Sequence, residues 1–179
     1  QFVDSRVNIH SDPMDPRILS TPFDGQGLAN KPMTWVEDGK LQNLNYSRYW
    51  ADRQGVEPTG FPSGWYMAGG NSSVDEMIRS TERGLLLTRF WYIRGVDPRT
   101  ILYTGLTRDG TFLIENGEIS HPVKNFRWNE SPIFMLNNIE MMGEPVRISS
   151  GESSGLTNSV VVPPLKVRDF TFTSLSDAI

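Results

Sequence analysis

Short runs of β-branched and aromatic residues, separated by turn residues, dominate the hydrophobic pattern of the chain. Two pairs of such runs each flank a tight turn, Asp38-Gly39 in the first pair and Asn116-Gly117 in the second. Both dipeptides favour the two-residue turns that join antiparallel strands. The sequence therefore predicts two β-hairpins, with strands at Met33 to Val36, Leu41 to Asn45, Thr111 to Ile114 and Ile119 to Val123.

Six further segments have the composition of strands. They are Phe2 to Ile9, Leu85 to Ile93, Ile101 to Thr104, Phe126 to Trp128, Ser159 to Val162 and Lys166 to Thr173. The segment Thr107-Arg108-Asp109-Gly110 has turn-forming residues, and we expect it to lie between strands.

Three helices are predicted from their boundary signals. Ser73-Val74-Asp75-Glu76 is a capping box, and the helix is expected to run to about Arg83 and end at Gly84. Ser131-Pro132 begins a second helix, which is expected to continue to Gly143. Its apolar residues recur every third position, at Ile133, Leu136, Ile139 and Met142. The third helix, Ser47 to Gln54, is followed by Gly55.

These elements predict an α+β fold, rich in β-structure. We expect one or more mostly antiparallel sheets, or a partly closed barrel, with about three packing helices. The length of 179 residues fits a single domain over residues 1–179. The chain begins with Gln1 and not with methionine, so we expect either that a longer protein was cut or processed, or that the chain is a C-terminal piece of one.

Composition narrows the function classes. The absence of cysteine excludes disulfides, thiolate metal sites and cysteine nucleophiles within the chain. A formal net charge of −4 disfavours nonspecific binding to nucleic acid. The longest apolar stretch, Gly84 to Ile93, is interrupted by Arg89 and is too short to span a membrane. No signal-peptide pattern opens the sequence, and we expect a cytoplasmic protein without membrane contact.

Candidate reactive groups are few. His10 and His121 are the only histidines, and neither has a second ligand at a suitable spacing, so we predict no metal site from this chain alone. The stretch Thr88 to Arg94 mixes aromatic residues with arginines, and on a strand Arg89 and Trp91 would share one face. Such a stretch could stack single-stranded bases, or it could form a core strand whose arginines reach acidic partners. The negative net charge favours the second interpretation.

A series of motifs is more specific than any of these groups. The motifs are Ser20 to Gly27, Glu57 to Gly60, Gly84 to Thr88, Phe112 to Ile119 with Pro122 to Lys124, Ile139 to Gly143, and Val161 to Val167. In this order and spacing they resemble the C-terminal domain of the TldD/PmbA family, whose members are also labelled modulators of DNA gyrase. The resemblance extends from about Val7 to Phe172, and it is closer to the PmbA (TldE) type.

The resemblance implies a metallopeptidase in which TldD-type and PmbA/TldE-type subunits pair and cleave unfolded or peptide substrates. In the catalytic type, a helix with His-Glu-x-x-x-His supplies two zinc ligands and a general base just upstream of the region that matches Val7 onward. A cysteine near the C-terminus is a further ligand. This chain contains no His-Glu-x-x-x-His motif, and its Ser149 to Thr157 segment has no cysteine. Zinc is therefore expected, if at all, only in the full-length protein.

The resemblance also implies a supporting role for this chain, whose sheet would form one wall of a peptide-binding cleft. Arg89, Tyr103, Thr104 and Arg108, near the ends of two predicted neighbouring strands, are the candidate substrate-binding residues. The alternative is that they are ordinary sheet and turn residues. A homo- or heterodimer with a TldD/PmbA-type subunit is expected to use an apolar surface at Phe134, Met135, Met141 and Met142.

Three functions remain open from the sequence. The first is a zinc-dependent peptidase whose ligands lie partly upstream. The second is a binding module, a non-catalytic partner subunit that dimerises and shapes a substrate channel. The third is a direct regulator of gyrase or nucleic acid, which rests on the family label and on the arginine–aromatic strand.

Overall fold

The structure is a computed structural model that describes residues 1–149 and 159–176. The chain forms two compact units. Unit 1 comprises Gln1–Gly70 and Glu144–Pro164, and unit 2 comprises Asn71–Gly143 and Leu165–Ile179. The organisation of residues 1–179 as a single domain stays a prediction.

Thirteen strands and three helices are present in the described residues. The strands are β1 (Ile9–Ser11), β2 (Met33–Glu37), β3 (Lys40–Leu41), β4 (Trp65–Met67), β5 (Arg83–Asp97), β6 (Leu102–Glu115), β7 (Glu118–Pro122), β8 (Phe126–Glu130), β9 (Ile139–Met142), β10 (Val146–Ser149), β11 (Ser159–Val162), β12 (Leu165–Val167) and β13 (Phe172–Leu175). The helices are α1 (Arg48–Gln54), α2 (Val74–Arg79) and α3 (Pro132–Asn137). None of these helices is long and apolar enough to cross a membrane.

Unit 1 is built on a six-stranded sheet in the order β10-β11-β4-β1-β2-β3. All its neighbours are antiparallel except β11 and β4, which run parallel. Unit 2 contains a sheet in the order β13-β8-β6-β5, with β7 paired to β6, and a two-stranded β12-β9 ladder. Each sheet formed by the described strands has a linear order and does not close into a barrel. The α+β, mostly antiparallel fold is thus confirmed, in its open form.

Both predicted hairpin turns are confirmed, but of the predicted strand Leu41 to Asn45 only Leu41 lies in a strand, because β3 is just Lys40–Leu41. The β2–β3 turn has positive φ at Asp38 (48°) and Gly39 (70°), and the β6–β7 turn has positive φ at Asn116 (53°) and Gly117 (81°). Positive φ at both central residues is the signature of the turn whose twist matches that of the flanking strands. Local sequence is sufficient to specify this geometry, because few residue pairs tolerate it.

The helix starts are also as predicted, but two helix ends are not. Helix α2 has the complete capping box of Ser73 and Glu76, yet it ends at Arg79, and Gly84 lies in β5. Helix α3 ends at Asn137, where the amide of Asn138 donates to the carbonyls of Phe134 and Met135. The expected continuation to Gly143 is wrong because Ile139–Met142 is strand β9, paired with β12.

Two further strand predictions and one turn prediction also need correction. Of Phe2 to Ile9, only Ile9 is in a strand, because the Val7 amide donates to the Asp4 carbonyl and turns the chain. Lys166 to Thr173 contributes to two strands, β12 and β13, which pair with different partners. Asp169, with φ of 59°, lies between them. The expected turn at Thr107 to Gly110 is instead part of β6.

An aromatic cluster around the buried Trp128 packs on one face of the unit 2 sheet. Trp128 lies edge-on to Phe90 and to Phe170, with ring centroids 5.1 and 5.7 Å apart. Phe170 stacks on Phe90 at 5.5 Å and contacts Phe172 at 5.2 Å. This cluster joins β5, β8 and the segment that leads into β13, on a sheet face that also carries the buried polar residues Thr107 and Glu130.

Candidate functional site

The four predicted substrate-binding residues lie on the paired strands β5 and β6. Arg89 is directly opposite Arg108, while Tyr103 is opposite Gly95 and Thr104 is opposite Arg94. Because side chains alternate along a strand, Thr104 and Arg108 are on one face and Tyr103 is on the other. Arg89 shares the face of Arg108, so the structure places three of the four residues together and separates Tyr103 from them.

Thr104 has a structural hydrogen-bonding role. Its hydroxyl donates to the carbonyl of Trp128 over 3.1 Å and accepts from Arg127 over 3.4 Å. Arg127 is opposite Leu106 on the neighbouring strand β8, so it adds a third guanidinium to the same sheet face. The hydroxyl thus couples β6 to β8 and positions Arg127.

Trp91 organises the two arginines of β5 and β6. The guanidinium carbon of Arg89 lies 4.6 Å from the Trp91 ring centroid, and that of Arg108 lies 5.1 Å from it. Both distances are within the range of cation–π attraction. We call Arg89, Trp91, Arg108 and Asp109 the arginine–tryptophan cluster. The spacing of Arg89 and Trp91, two residues apart, indicated their shared face in the sequence.

Asp109 could not be identified as a member of this cluster from the sequence. Leu87 pairs with Thr111 and Arg89 pairs with Arg108, so β6 contains an additional residue at this point. Asp109 adopts a φ of 67° in this bulge. Its carboxylate accepts a hydrogen bond from Arg89 over 2.9 Å and lies 3.8 Å from Nε of Arg108. The bulge explains why Asp109-Gly110, which is typical of a turn, lies inside a strand.

Strand β5 is the longest strand at a sheet edge in the part of the chain that the structure describes. It has 15 residues, it pairs with β6 on one side, and no described strand pairs with its other side. Its register is distorted beyond Trp91, where Tyr92 has a φ of 52°. Arg83 to Trp91 therefore offers a continuous extended edge beside the arginine–tryptophan cluster.

Unit 1 has a separate cleft of about 590 Å³, lined by Thr21, Phe23, Asp24, Gly25, Phe61, Pro62, Ser63, Trp65 and Val160. Asp24 orders its loop, because its carboxylate accepts hydrogen bonds from the backbone amides of Gln26, Leu28 and Phe61 over 2.8, 2.9 and 3.1 Å. The hydrogen bond from Leu28, supported by those from Gln26 and Phe61, lowers the pKa of Asp24 below its usual value. The motif Ser20 to Gly27 thus forms a carboxylate-centred loop.

This lowered pKa makes the loop sensitive to acid. Because the folded state holds Asp24 ionised, its stabilising contribution is complete above about pH 4, near the carboxyl's ordinary pKa, and decreases as the pH falls towards the folded value. We expect Asp24→Asn to increase hydrogen exchange at Gln26, Leu28 and Phe61 at pH 7, and to weaken the acid dependence of their protection. Asp12→Asn is the matched control, since the Asp12 carboxylate accepts one amide, that of Met14. Unchanged protection in Asp24→Asn would contradict this role.

The predicted dimer surface is only partly exposed. The side chain of Phe134 is 44% exposed, but Met142 is 6% exposed and belongs to the core of unit 2. Met142 is buried because β9 pairs with β12, an arrangement that the helical prediction did not include. An apolar surface at this place is therefore limited to Phe134, Met135 and Met141.

The donor set of the described residues does not fit zinc. His10 Nε2 lies 3.8 Å from Asp15 Oδ2, and His121 Nδ1 hydrogen-bonds to Ser120 Oγ over 3.0 Å. No group of three or more histidine, aspartate or glutamate side chains converges as a metal site in residues 1–149 and 159–176. The segment 150–158, which covers most of the cysteine-free stretch noted above, lies outside the described residues.

Comparison with known proteins connects the motifs to a family. A family model for the PmbA/TldA metallopeptidase C-terminal domain matches residues 1–174. The Metalloprotease PmbA of Escherichia coli O157:H7 is 29% identical over 153 residues, which cover 84% of this chain and 33% of the relative. The Zinc metalloprotease TldD homolog of Saccharolobus solfataricus is 27% identical over 184 residues. That alignment covers 92% of this chain and 41% of the relative.

A solved structure supports the same fold. TldE from Thermococcus kodakarensis superposes with a TM-score of 0.71 at 19% identity, covering 98% of this chain and 40% of that protein. The chain spans about a third of the length of the Escherichia coli relative. Since the family match covers nearly all the described residues, the chain belongs to the PmbA/TldD family and corresponds to its metallopeptidase C-terminal domain.

Proposed function

We propose that this chain supplies one wall of the peptide-binding cleft in a full-length metallopeptidase that cleaves unfolded or peptide substrates. The observation that carries the proposal is the position of β5 at the sheet edge, where β6 is the one strand that pairs with it among the described residues, beside Arg89 and Arg108. An extended peptide can add to such an edge through main-chain hydrogen bonds, without a requirement for one sequence. Tyr103 would contribute from the opposite face and Thr104 through its hydrogen bond to Arg127.

The metal chemistry of this proposal belongs to the full-length protein. The relative from S. solfataricus is named a zinc metalloprotease, which supports zinc in the full-length protein. We expect a His-Glu-x-x-x-His helix upstream of the matching region, as in the catalytic type of the family. Zinc bound by such a helix would activate water for peptide hydrolysis. Within this chain we assign binding and orientation of the peptide, in a protein that we propose to be cytoplasmic.

The proposal is tested with the full-length protein and an unfolded peptide. We expect cleavage that a chelator abolishes and that added zinc restores, with zinc present in the purified protein. A peptide N-methylated at every residue keeps its side chains but cannot donate main-chain hydrogen bonds, and we expect it neither to be cleaved nor to compete. Absence of cleavage with and without chelator, together with absence of zinc from the purified protein, would overturn the proposal that the full-length protein is a peptidase.

A non-catalytic partner subunit is the second candidate. The stretch from Ser149 to Thr157 supports it, because it has no cysteine where the resemblance implies a further zinc ligand. This function predicts peptide binding without cleavage, and a stable homo- or heterodimer that buries more than about 1,000 Å² and includes Phe134. A strictly monomeric full-length protein, alone and when mixed with a TldD-type subunit, would contradict it.

A further inference from the structure

We propose that the unit 1 cleft binds a cationic side chain of a polypeptide, an arginine or a lysine whose charged group lies between aromatic rings and the Asp24 carboxylate. The residues that line the cleft belong to unit 1, whereas β5 belongs to unit 2, so the inference does not rest on the proposed function. The cleft volume of about 590 Å³ is within the usual range for a ligand site.

Aromatic rings form the walls of the cleft. Phe23 and Phe61 line it and are each 60% exposed, which leaves large apolar surfaces in contact with solvent. The ring centroids of Phe61 and Trp65 are 6.4 Å apart, and the ring planes are inclined at 70°. Trp65 packs in turn on the buried Trp35, with ring centroids 5.0 Å apart. Rings inclined in this way can contact one ligand from two directions, and the face of each ring attracts a cation.

Asp24 supplies a negative charge at the same cleft. Oδ1 accepts hydrogen bonds from the amides of Gln26 and Leu28, and Oδ2 accepts one from the amide of Phe61. Because a carboxylate has about four lone-pair sites, Oδ2 retains the capacity for a further donor. The hydrogen bond from Leu28 is the main cause of the lowered pKa of Asp24, and the charge of Arg48 is a smaller one. The Arg48 Nε donates to the Gln26 carbonyl over 3.4 Å, so this guanidinium is engaged with the backbone.

The loop is ordered before any ligand binds. The Ser63 hydroxyl accepts a hydrogen bond from the Thr21 amide over 2.9 Å, and the Thr21 hydroxyl donates to the Phe23 carbonyl over 2.9 Å. The Asp24 amide donates to the Leu28 carbonyl over 2.9 Å. These bonds fix the backbone on both sides of the Phe23 ring. A ligand therefore does not have to order the loop, which reduces the cost of binding.

A cation suits this cleft better than the other classes of ligand. A neutral aromatic or aliphatic side chain would cover the Asp24 carboxylate without providing a hydrogen-bond donor, and an unpaired charge is costly to remove from water. An anion would meet the carboxylate as a like charge. The alkyl stem of arginine or lysine instead packs along apolar surface while its charged end keeps polar partners. The net charge of −4 of the chain also favours approach of a cationic segment.

The test measures binding at the cleft itself, with the full-length protein labelled with 5-fluorotryptophan and with chelator present to prevent cleavage. Loss of one fluorine signal in Trp65→Phe identifies the signal of Trp65. Capped peptides of the form Gly-Gly-X-Gly-Gly are compared, in which X is arginine, citrulline, lysine, norleucine or glutamate. Citrulline and norleucine keep the side-chain stems of arginine and lysine but have no charge.

We expect the arginine peptide to shift the Trp65 signal with about tenfold higher affinity than the citrulline peptide, from two ring contacts and one exposed ion pair. The lysine peptide should exceed the norleucine peptide in the same way, and the glutamate peptide should not shift the signal. Guanidinium ion is expected to bind more weakly than the arginine peptide, because it has no stem to pack against the rings.

Phe23→Leu is expected to reduce the preference for arginine over citrulline by about two- to fivefold, because leucine keeps an apolar contact but has no ring face. This variant leaves Asp24 in place, whereas Asp24→Asn would also loosen the loop. Phe61→Leu removes a second ring and should act in the same direction. Tyr49→Leu is the matched control, since Tyr49 is 64% exposed on α1 and does not line the cleft.

Three results would overturn the inference. Equal affinities of the arginine and citrulline peptides at the Trp65 signal would leave an apolar cleft without selectivity for charge. An unchanged preference in both Phe23→Leu and Phe61→Leu would show that the rings do not hold the cation. Guanidinium ion that binds as tightly as the arginine peptide would assign the cleft to a free cation. Each result is read at Trp65, so none of them depends on whether the full-length protein cleaves peptides.

Discussion

Trp128→Ala is expected to lower the free energy of unfolding of unit 2 by about 3–5 kcal/mol, the usual cost of removing a buried aromatic side chain. Trp128 is 6% exposed and packs against Phe90 and Phe170. It also fills the space above Gly105, where an added Cβ would lie 2.4 Å from the indole ring. Alanine would leave a cavity between β5, β6 and β8 that the surrounding backbone cannot close.

Hydrogen exchange is a suitable measurement because it resolves β5 and β6 separately from unit 1. We expect protection in these strands to fall by about a hundredfold or more, given tenfold per 1.4 kcal/mol. Trp50→Ala is the matched control, since Trp50 is 56% exposed on α1. Trp128→Phe should cost less than Trp128→Ala, because the Trp128 Nε1–H is buried without a hydrogen-bond partner in the described residues. Equal effects of Trp128→Ala and Trp50→Ala would show that the cluster does not stabilise the sheet.

Gly39→Ala is expected to destabilise unit 1 by about 2–5 kcal/mol, the sum of a conformational cost and a steric cost. Gly39 has a φ of 70°, which L-residues other than asparagine and aspartate rarely adopt. An added Cβ would also lie 2.3 Å from the Val3 carbonyl oxygen and 2.6 Å from that of Asp4. The N-terminal segment would therefore have to move. It is held against the turn by hydrogen bonds from the amides of Phe2 and Val3 to the Gly39 carbonyl.

A second glycine separates the two costs. Gly27 has a φ of 72° with no atom near an added Cβ, so Gly27→Ala should show only the conformational cost of about 1–2 kcal/mol. Urea unfolding of both variants, together with hydrogen exchange at Val3 and Val7, provides the comparison. If Gly39→Ala were no more destabilising than Gly27→Ala, the close approach of the N-terminal segment would not contribute to stability.

Local interactions made part of this fold predictable. The Asp38-Gly39 and Asn116-Gly117 turns and the capping box at Ser73 were correctly predicted because each depends on neighbouring residues. The end of α3 was not, since Ile139 continues the helical spacing but its backbone pairs with Val167, 28 residues away. Periodicity of side chains does not reveal which distant backbone competes for the same hydrogen bonds.

The candidate site was likewise predictable only in part from the sequence. Arg89 and Arg108 were recognised as candidates, and the spacing of Arg89 and Trp91 indicated a shared face. Asp109 was assigned to a turn, whereas it occupies a bulge that brings its carboxylate to Arg89. Tyr103 was grouped with Thr104 because both were expected near the end of a predicted strand, although adjacent residues of a strand lie on opposite faces.

The amino-acid sequence by itself determined the α+β class, the hairpin turns, the helix starts and the family, because these depend on local backbone preferences and on the order of short motifs. Tertiary structure alone decided where α2 and α3 end, which strand lies at the sheet edge, and how Arg89, Trp91, Arg108 and Asp109 come together. The physical reason is that strand pairing joins residues distant in the chain. Its register, including a single additional residue in β6, sets which side chains share a face.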